Sequence, residues 1–232
     1  MNADAKDPKN PDRDRFVLSK GHGCPSLYAT LALKGYFPFE ELENLRHVGA
    51  MLQGHPDMKG TPGIDMSSGS LGQGVSAACG MAAAGKLDGR DYRVYTVLGD
   101  GECEEGQVWE AAMFASHYKL DNLCVIVDNN GLQIDGKVED VAGLCNLKEK
   151  FEAFGFGAIE IDGHDFDDIE KAMNAARECK GKPFAVIAKT VKGKGVSFME
   201  NQVGWHGVAP NDEQYKQAMA ELEQQLKETE EA

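Results

Sequence analysis

Basic residues are scarce in this chain of 232 residues, in which 24 Lys and Arg stand against 38 Asp and Glu and give a formal net charge of -14. A nucleic-acid-binding surface needs concentrated positive charge, so this balance argues against a nucleic-acid partner. No apolar run approaches the ~20 residues that span a bilayer, so we expect no membrane association. Residues 1–14 are charged and contain proline, which is unlike a secretory signal peptide.

Cysteine pairs of the C-x-x-C type are also missing, although the chain has six cysteines. A local zinc or redox motif is therefore not indicated. Cys79 and Cys124 lie in apolar segments and are expected to be small buried side chains. Cys103 lies close to the site predicted below, where a chemical role is the lesser alternative. These features predict a reduced, cytoplasmic protein.

Strand-like and helix-like segments alternate along most of the chain. This alternation predicts an α/β fold with a doubly wound, mostly parallel sheet and helices on both faces. Residues 1–210 form one predicted domain, and 211–232 form an acidic helix or tail. Strands are predicted at 94–98, 123–127, 158–161 and 184–188. Helices are predicted at 27–33, 38–47, 75–86, 107–118, 146–154 and 166–179.

Two polar segments follow the first two predicted strands. Gly99-Asp100-Gly101 follows 94–98, and Asp128-Asn129-Asn130-Gly131-Leu132 follows 123–127. A crossover of this length holds one helix and one strand, and it brings both strand ends to the same edge of the sheet. Carboxylate and amide oxygens suit Mg²⁺, which leaves room for phosphate oxygens. The two segments together predict a Mg²⁺-diphosphate site, although each alone is also an ordinary turn sequence.

Three of the six histidines, His22, His55 and His206, lie in glycine-flanked loops. They lack the i, i+4 spacing of a local metal site. They suit a site that needs neutral donors and proton carriers near pH 7, although a lone histidine usually has no special role. Lys192 follows the strand predicted at 184–188, where it can neutralise a diphosphate. The alternative for Lys192 is a solvated basic turn.

Together these segments resemble the thiamine diphosphate enzymes and, among them, the transketolases. Gly99-Asp100-Gly101 followed by Asn130 resembles the Mg²⁺-diphosphate motif of that superfamily. The resemblance covers the chain to about Pro210. The segments that resemble transketolases in particular are Asp14 to His22, Gly54-His55-Pro56, Gly69-Ser70-Leu71-Gly72-Gln73-Gly74, Lys192 to Gly195 and Trp205-His206-Gly207.

The resemblance implies a role for each matched residue. Asp100, the Asn130 side chain and the Leu132 carbonyl would hold Mg²⁺, for which Ca²⁺ or Mn²⁺ are possible substitutes. Gly101 would bind the diphosphate through its backbone, with Lys192 nearby. Other implied contacts to thiamine diphosphate are His22, Gly69, Ser70, Leu71, Asn130, His206 and Glu105, the last at a contact between subunits. The implied catalytic residues are His22, His55 and His206.

The order of domains in transketolases implies a partner. In that family the diphosphate domain comes first, followed by a pyrimidine-binding domain and a third domain, and this chain ends after the first. We therefore expect the N-terminal subunit of a split transketolase that acts on sugar phosphates. It would be inactive without a C-terminal subunit carrying the pyrimidine-binding domain, in an α2β2 assembly.

A second departure from the family pattern lies at the start of the chain. Transketolases have roughly fifty residues before the segment that begins at Asp14, including a Ser-Gly-His-Pro-Gly-Gly loop that nothing here matches. We expect a missing segment of this kind to affect cofactor affinity, dimer packing and activity, but not the sheet.

Two other functions remain open. The chain could belong to another thiamine diphosphate enzyme, such as a deoxyxylulose-phosphate synthase or a ketoacid dehydrogenase. The loops around His55 and His206 favour transketolase over these. The chain could also be truncated and inactive, although the intact Asp100, Asn130 and Lys192 argue against decay of the site.

Overall fold

A five-stranded parallel sheet forms the centre of the fold in the computed structural model, which describes residues 1–230. The strands are β1 Arg15–Leu18, β2 Val94–Gly99, β3 Leu123–Asn129, β6 Gly157–Asp162 and β7 Phe184–Lys189, and β4 Leu132–Gln133 pairs with β5 Gly136–Lys137 in a small hairpin. The order across the large sheet is β1-β2-β3-β7-β6. Helices cover both faces of β3 and β7, so their sequences are continuous apolar runs rather than alternating ones.

Seven α-helices accompany the strands within residues 1–230. One face of the sheet packs on α2, α3 and α5, through residues such as Ala78, Val108 and Phe151. The other face packs on α6, through Ala172 and Ala176. The helices are α1 Cys24–Leu33, α2 Gln73–Leu87, α3 Gly106–His117, α4 Val138–Ala142, α5 Leu147–Ala153, α6 Phe166–Glu178 and α7 Asp212–Glu230. The predicted α/β fold with helices on both faces is confirmed.

The structure differs from the predicted elements in several places. Residues 38–47 do not form an α-helix, since only Phe39–Asn44 is helical and it is a 3-10 helix. None of its residues is buried, so no packed face supports a longer helix. Strand β1, the β4–β5 hairpin and α4 are not among the predicted elements. All are short, and segments of two to five residues carry little periodic signal.

The register of the parallel strands brings their polar ends to one edge. Leu18 of β1 is paired with Val97 of β2, and Gly99 of β2 with Asp128 of β3. Asp128 is paired in turn with Ala188 of β7. Since these strands are parallel, the residues that follow them meet at the carboxyl edge, where open α/β sheets bind ligands.

The acidic C-terminal segment forms helix α7 and lies against the loop after β7. Glu221 accepts hydrogen bonds from the Ser197 backbone and hydroxyl, and Gln225 donates to the Gly195 carbonyl. Residues 231 and 232 of the predicted tail lie outside the described part of the chain. Among the described helices, none is long and apolar enough to cross a membrane.

Candidate active site

Asp100 is a buried carboxylate at the carboxyl end of β2. Asp100 is 3% exposed to solvent, and its carboxylate oxygens accept hydrogen bonds from Gly101 N–H at 2.8 Å and Gly131 N–H at 2.5 Å. No Lys, Arg or His side chain within residues 1–230 forms an ion pair with it. Burial raises the pKa of Asp100 despite these hydrogen bonds. A buried carboxylate of this kind is stabilised when a cation binds beside it.

The segment after β3 faces the same turn. Gly131 has a φ of 75°, a left-handed conformation that glycine adopts without steric cost, and its N–H reaches Asp100. The Asn130 side-chain oxygen accepts from Leu132 N–H at 3.0 Å. The predicted metal ligands Asp100, Asn130 and Leu132 are therefore brought together around one short loop.

The donor set at this loop suits Mg²⁺. It offers one carboxylate, one amide oxygen and one backbone carbonyl, and Mg²⁺ prefers a few protein oxygens beside phosphate oxygens. No group of three or more His, Cys, Asp or Glu side chains that could hold a metal occurs in the part of the chain described. A cavity of about 580 Å³ opens beside the loop, lined by Asp100, Asn130, Leu132, Lys189 and Asn201 among others. The residues present thus fit a cation that shares its coordination with a ligand in the cavity.

Lys192 and two histidines form the basic side of the site. Lys192 Nζ lies 3.3 Å from Nδ1 of His206, and the rings of His206 and His22 have centroids 5.1 Å apart. The Lys192 ammonium can only donate, so Nδ1 of a neutral His206 accepts and its proton lies on Nε2. His22 is thereby brought to Lys192 and His206, which lie 170 and 184 positions later in the sequence.

Positive charge is crowded on this side. Burial, the charge of His206 and the charges of Lys20 and Lys192 lower the pKa of His22 to about 4. Burial, followed by Lys192 and Lys20, also lowers the pKa of His206. Burial and the nearby Lys20 lower the pKa of Lys192, although Asp128 and Asp100 partly offset this. Both histidines are therefore neutral near pH 7.

His55 joins the cluster through the loop that precedes α2. A Cβ placed on Gly69 would lie 3.0 Å from the His55 ring, and one on Gly21 would lie 2.7 Å from the Gly69 nitrogen. Only glycine therefore fits at these two positions without a shift of the backbone or of His55. The His55 charge contributes to the lowered pKa of His22, which places it on the same side of the site.

The remaining predicted residues lie around this loop. Leu71 is half-buried, and Ser70 is exposed and accepts a hydrogen bond from the Gln73 side chain at 3.2 Å. Glu105 is exposed beside the loop, since a Cβ on Gly72 would lie 3.0 Å from its Cβ. Its predicted place at a contact between subunits stays a prediction. Cys103 is fully buried, and burial raises the pKa of its thiol well above the ordinary value, so it is not a reactive group.

The sequence reasoning missed an ion pair at the centre of the site. Lys20 Nζ pairs with Asp128 Oδ2, and the Thr190 hydroxyl donates to Asp128 Oδ1. Burial alone would raise the pKa of Asp128, but Lys20 and these hydrogen bonds lower it. The signal was the short apolar run before Lys20, which is strand β1 and ends at the ligand edge.

A buried glutamate, Glu102, was also missed. Its carboxylate accepts hydrogen bonds from the Ser19 hydroxyl, from Gly72 N–H at 2.8 Å and from Gly99 N–H at 3.0 Å. These three donors come from three separate segments of the site. Nothing in the local sequence distinguishes Glu102 from its exposed neighbour Glu105.

Comparison with known proteins identifies the family. A sequence profile of the family described as "Transketolase, thiamine diphosphate binding domain" matches residues 1–229. The chain is 50% identical over 225 residues to the 6-deoxy-6-sulfo-D-fructose transketolase subunit SqwG of Clostridium sp. (strain MSTE9), a match that covers 97% of this chain and 82% of that protein. It is 43% identical to one of the subunits of the apulose-4-phosphate transketolase of Phocaeicola vulgatus, over 96% of this chain and 79% of that protein.

The fold agrees with that of a solved relative. The crystal structure of transketolase from Campylobacter jejuni superposes with a TM-score of 0.89 at 37% identity, covering 94% of this chain and 35% of that one. The chain thus spans about a third of that solved protein but most of the two relatives that are single subunits. The chain belongs to the transketolase family and comprises its thiamine diphosphate-binding domain.

Proposed function

We propose that this chain is the diphosphate-binding subunit of a split transketolase. It would hold Mg²⁺ and thiamine diphosphate for transfer of a two-carbon ketol unit from a ketose phosphate to an aldose phosphate. The observation that carries the proposal is a pair of opposite charges left uncompensated in one site. Asp100 has no cationic partner within residues 1–230 and a raised pKa, whereas Lys192 has no anionic partner there and a lowered pKa. A bound Mg²⁺-diphosphate group would compensate both charges, with Mg²⁺ beside Asp100 and the diphosphate beside Lys192.

Each side of the site has a defined part in holding this ligand. Asp100, the Asn130 amide oxygen and the Leu132 carbonyl would coordinate Mg²⁺. Lys192 would neutralise the diphosphate, with the backbone N–H of Gly101 as a further donor. The cofactor itself supplies carbanion chemistry when bound.

The histidines would manage protons at the sugar. Because Nδ1 of His206 faces Lys192, its Nε2–H is free to donate to a substrate oxygen. His22, with its pKa lowered to about 4, is neutral near pH 7 and can accept a hydrogen bond from a sugar hydroxyl. His55 lies on the same side through its contact with Gly69 and would bind sugar hydroxyls.

The names of the relatives support a proposal about the substrate class and the partner. Both relatives that are single subunits are named for transketolases that act on particular sugars, 6-deoxy-6-sulfo-D-fructose and apulose 4-phosphate. We propose a C-terminal partner subunit that carries the pyrimidine-binding domain, in an α2β2 assembly, for this chain too. The exposed Glu105 beside Gly72 is a candidate contact to that partner.

Calorimetric titration tests the cofactor proposal. Thiamine diphosphate is titrated with Mg²⁺ into the chain alone and into the chain mixed with a candidate partner, beside an Asp100→Ala control. We expect binding that needs Mg²⁺, is strongest with the partner and is absent in the control. Absence of binding in every mixture would contradict the proposal and favour an inactive chain.

A donor assay tests the reaction. The loaded complex is given fructose 6-phosphate, 6-deoxy-6-sulfo-D-fructose, apulose 4-phosphate or pyruvate, each with an aldose phosphate acceptor. We expect turnover with one of the ketoses and none with pyruvate. Turnover with pyruvate alone would favour a deoxyxylulose-phosphate synthase or a ketoacid dehydrogenase component.

A further inference from the structure

Glu102 connects three segments that converge on the site. It is 3% exposed, and its carboxylate accepts from the Ser19 hydroxyl, Gly72 N–H and Gly99 N–H. Ser19 follows β1 and precedes Lys20, Gly72 precedes α2, and Gly99 ends β2 and precedes Asp100. One side chain therefore contacts the segment of Lys20, the loop at 67–74 and the turn of Asp100.

Two of these segments, the one at 19–21 and the loop at 67–74, are also in close contact through their backbones. A Cβ on Gly74 would lie 2.6 Å from the Ser19 Cα, and a Cβ on Gly21 would lie 2.7 Å from the Gly69 nitrogen. Such contacts leave little room for one segment to move without the others. Glu102 links this packed pair of segments to the turn at Asp100 through its hydrogen bond with Gly99 N–H.

A carboxylate is required for this connection. Glu102 offers acceptors only, and all three groups that face it are donors. A glutamine of the same shape would present an NH2 group to one of these donors and lose that hydrogen bond. The net loss is large because hydrogen bonds to a buried charged group are stronger than those between neutral groups.

We propose that Glu102 is a positioning residue. It couples the turn at Asp100, which would hold the metal, to the loop at 67–74 on the histidine side. This inference rests on the proposed function. A short ligand such as diphosphate, held by the turn and by Lys192, would depend little on the position of the loop at 67–74. A ligand that extends from the turn to the histidine side would depend on it, because both halves must be held at a fixed separation.

Comparison of a long and a short ligand tests the coupling. Thiamine diphosphate and inorganic diphosphate are each titrated with Mg²⁺ into the wild-type, Glu102→Gln and Glu223→Gln chains, all with the partner subunit. Glu223 is exposed on α7 and serves as the matched control. We expect Glu102→Gln to weaken thiamine diphosphate binding about tenfold and diphosphate binding less than about threefold. Glu223→Gln should change neither.

The outcomes separate the inference from the proposed function. Equal weakening of the binding of both ligands would mean that Glu102 only supports the fold, and it would overturn the coupling. Unchanged affinity for both ligands would also overturn it. If the wild-type complex binds no thiamine diphosphate, the proposed function itself is wrong and the inference falls with it. If the wild-type complex binds thiamine diphosphate, the coupling is judged by comparing the losses of affinity for the two ligands in Glu102→Gln.

A milder variant covers the case in which Glu102→Gln does not fold. Ser19→Ala removes one of the three donors and leaves the carboxylate with two backbone partners. We expect it to weaken thiamine diphosphate binding roughly threefold relative to diphosphate. An unchanged ratio in Ser19→Ala would overturn the coupling.

Hydrogen exchange gives a readout that does not depend on the affinity. Diphosphate with Mg²⁺ should slow amide exchange at 67–74 in the wild type, because Glu102 bonds both to this loop and to the turn at Asp100. In Glu102→Gln, saturated with the same ligand, the protection should be lost at 67–74 but retained at 99–101. Protection retained at both segments would contradict the coupling.

Discussion

Two carboxylates at the ends of neighbouring strands have opposite electrostatic environments. Asp128, at the end of β3, is paired with Lys20 and bonded by Thr190, and its pKa is lowered. Asp100, after β2, accepts only backbone N–H groups, and burial raises its pKa. The first group is already compensated within the fold, and the second is left for the proposed cation to compensate. The difference shows which part of the site is structural and which part is prepared for a ligand.

The basic residues divide in the same way. Lys20 is neutralised by Asp128, whereas Lys192 has only the neutral His206 within hydrogen-bond distance among the described residues. Within residues 1–230, neither Asp100 nor Lys192 thus forms an ion pair with a group of opposite charge. Functional sites commonly lower the stability of the free chain in favour of binding at such positions. The predictions below test whether this division is real.

The largest effect is expected from Asp100→Asn, which removes the proposed charged ligand of the metal. Affinity for thiamine diphosphate in Mg²⁺ should fall at least about a hundredfold. Even substitution of residues that only hydrogen-bond to metal ligands commonly lowers metal affinity about ten- to hundredfold. Without ligand, the free energy of unfolding should change by less than about 1 kcal/mol, because removal of an uncompensated buried charge offsets the backbone hydrogen bond that the amide loses. Calorimetry and urea unfolding measure the two quantities.

Asp128→Asn is the matched comparison for Asp100→Asn. It leaves Lys20 without its partner, so we expect a loss of about 1–3 kcal/mol in the free energy of unfolding of the free chain. If Asp100→Asn destabilised the free chain as much as Asp128→Asn, the division into compensated and uncompensated carboxylates would be wrong.

The second prediction concerns the packing that holds Lys20 in place. Gly74→Ala puts a methyl group 2.6 Å from Ser19, next to Lys20, and should destabilise the chain by about 1–3 kcal/mol through overpacking. Gly80→Ala on the same helix meets nothing within 4 Å and should stabilise it by about 0.5–1 kcal/mol. Thermal and urea unfolding of the two variants should therefore shift in opposite directions. A shift of the same sign in both would contradict the close contact at Ser19.

The third prediction is that Lys192→Met separates binding from stability. The variant should bind diphosphate with Mg²⁺ about tenfold more weakly, because one charged contact is lost. Its free chain should be slightly more stable, by roughly 0.5 kcal/mol, because a cation with a lowered pKa is removed from beside Lys20.

Lys194→Met is the control for Lys192→Met. Lys194 is exposed and only loosely paired with Glu200 at 3.9 Å, so neither binding nor stability should change appreciably. Equal loss of binding in the two lysine variants would mean that Lys192 acts through general positive charge rather than through its place at the site.

The sequence predicted the ligand side of the site better than its internal supports. Asp100 and Asn130 could be placed together because parallel strands joined by one crossover end at the same edge, a consequence of topology alone. The ion pair of Lys20 and Asp128 depends on β1, whose four residues are too few to show a strand period. The partners of Glu102 come from segments up to 83 residues away and are fixed only by tertiary packing.

The short helix near residue 40 shows the same limit. The sequence predicted an α-helix over 38–47, yet only Phe39–Asn44 is helical, as a 3-10 turn in which no residue is fully buried. Helix propensity is a weak preference that packing decides, and here Leu42 and Leu45 are only partly buried against the core cluster that includes Tyr28 of α1. Conversely, α2 and α3 were predicted well because their small and apolar residues pack on the sheet.

The smallest effect is expected for the pH dependence of the free energy of unfolding below pH 6.5, where His22 titrates in the unfolded chain. The pKa of His22 is lowered from 6.5 to about 4 in the folded chain, so between these values the unfolded chain binds more protons. The stability contributed by neutral His22 is therefore complete above pH 6.5 and is lost as the pH falls toward about 4. His22→Asn should make the free energy of unfolding less dependent on pH in this window. The change should be small, since part of the His22 side chain remains exposed to solvent, which screens its charge.

Binding of diphosphate with Mg²⁺ should likewise make the free energy of unfolding of the wild type less dependent on pH. Diphosphate with Mg²⁺ brings negative charge close to Lys20 and Lys192, two of the groups that lower the pKa of His22. The pKa of His22 should then rise toward 6.5, and the folded and unfolded chains should bind protons more equally. Urea unfolding at pH 7.5, 6 and 5, with and without the ligand, measures this. A steeper pH dependence with diphosphate bound would mean that the anion does not sit on the basic side of the site.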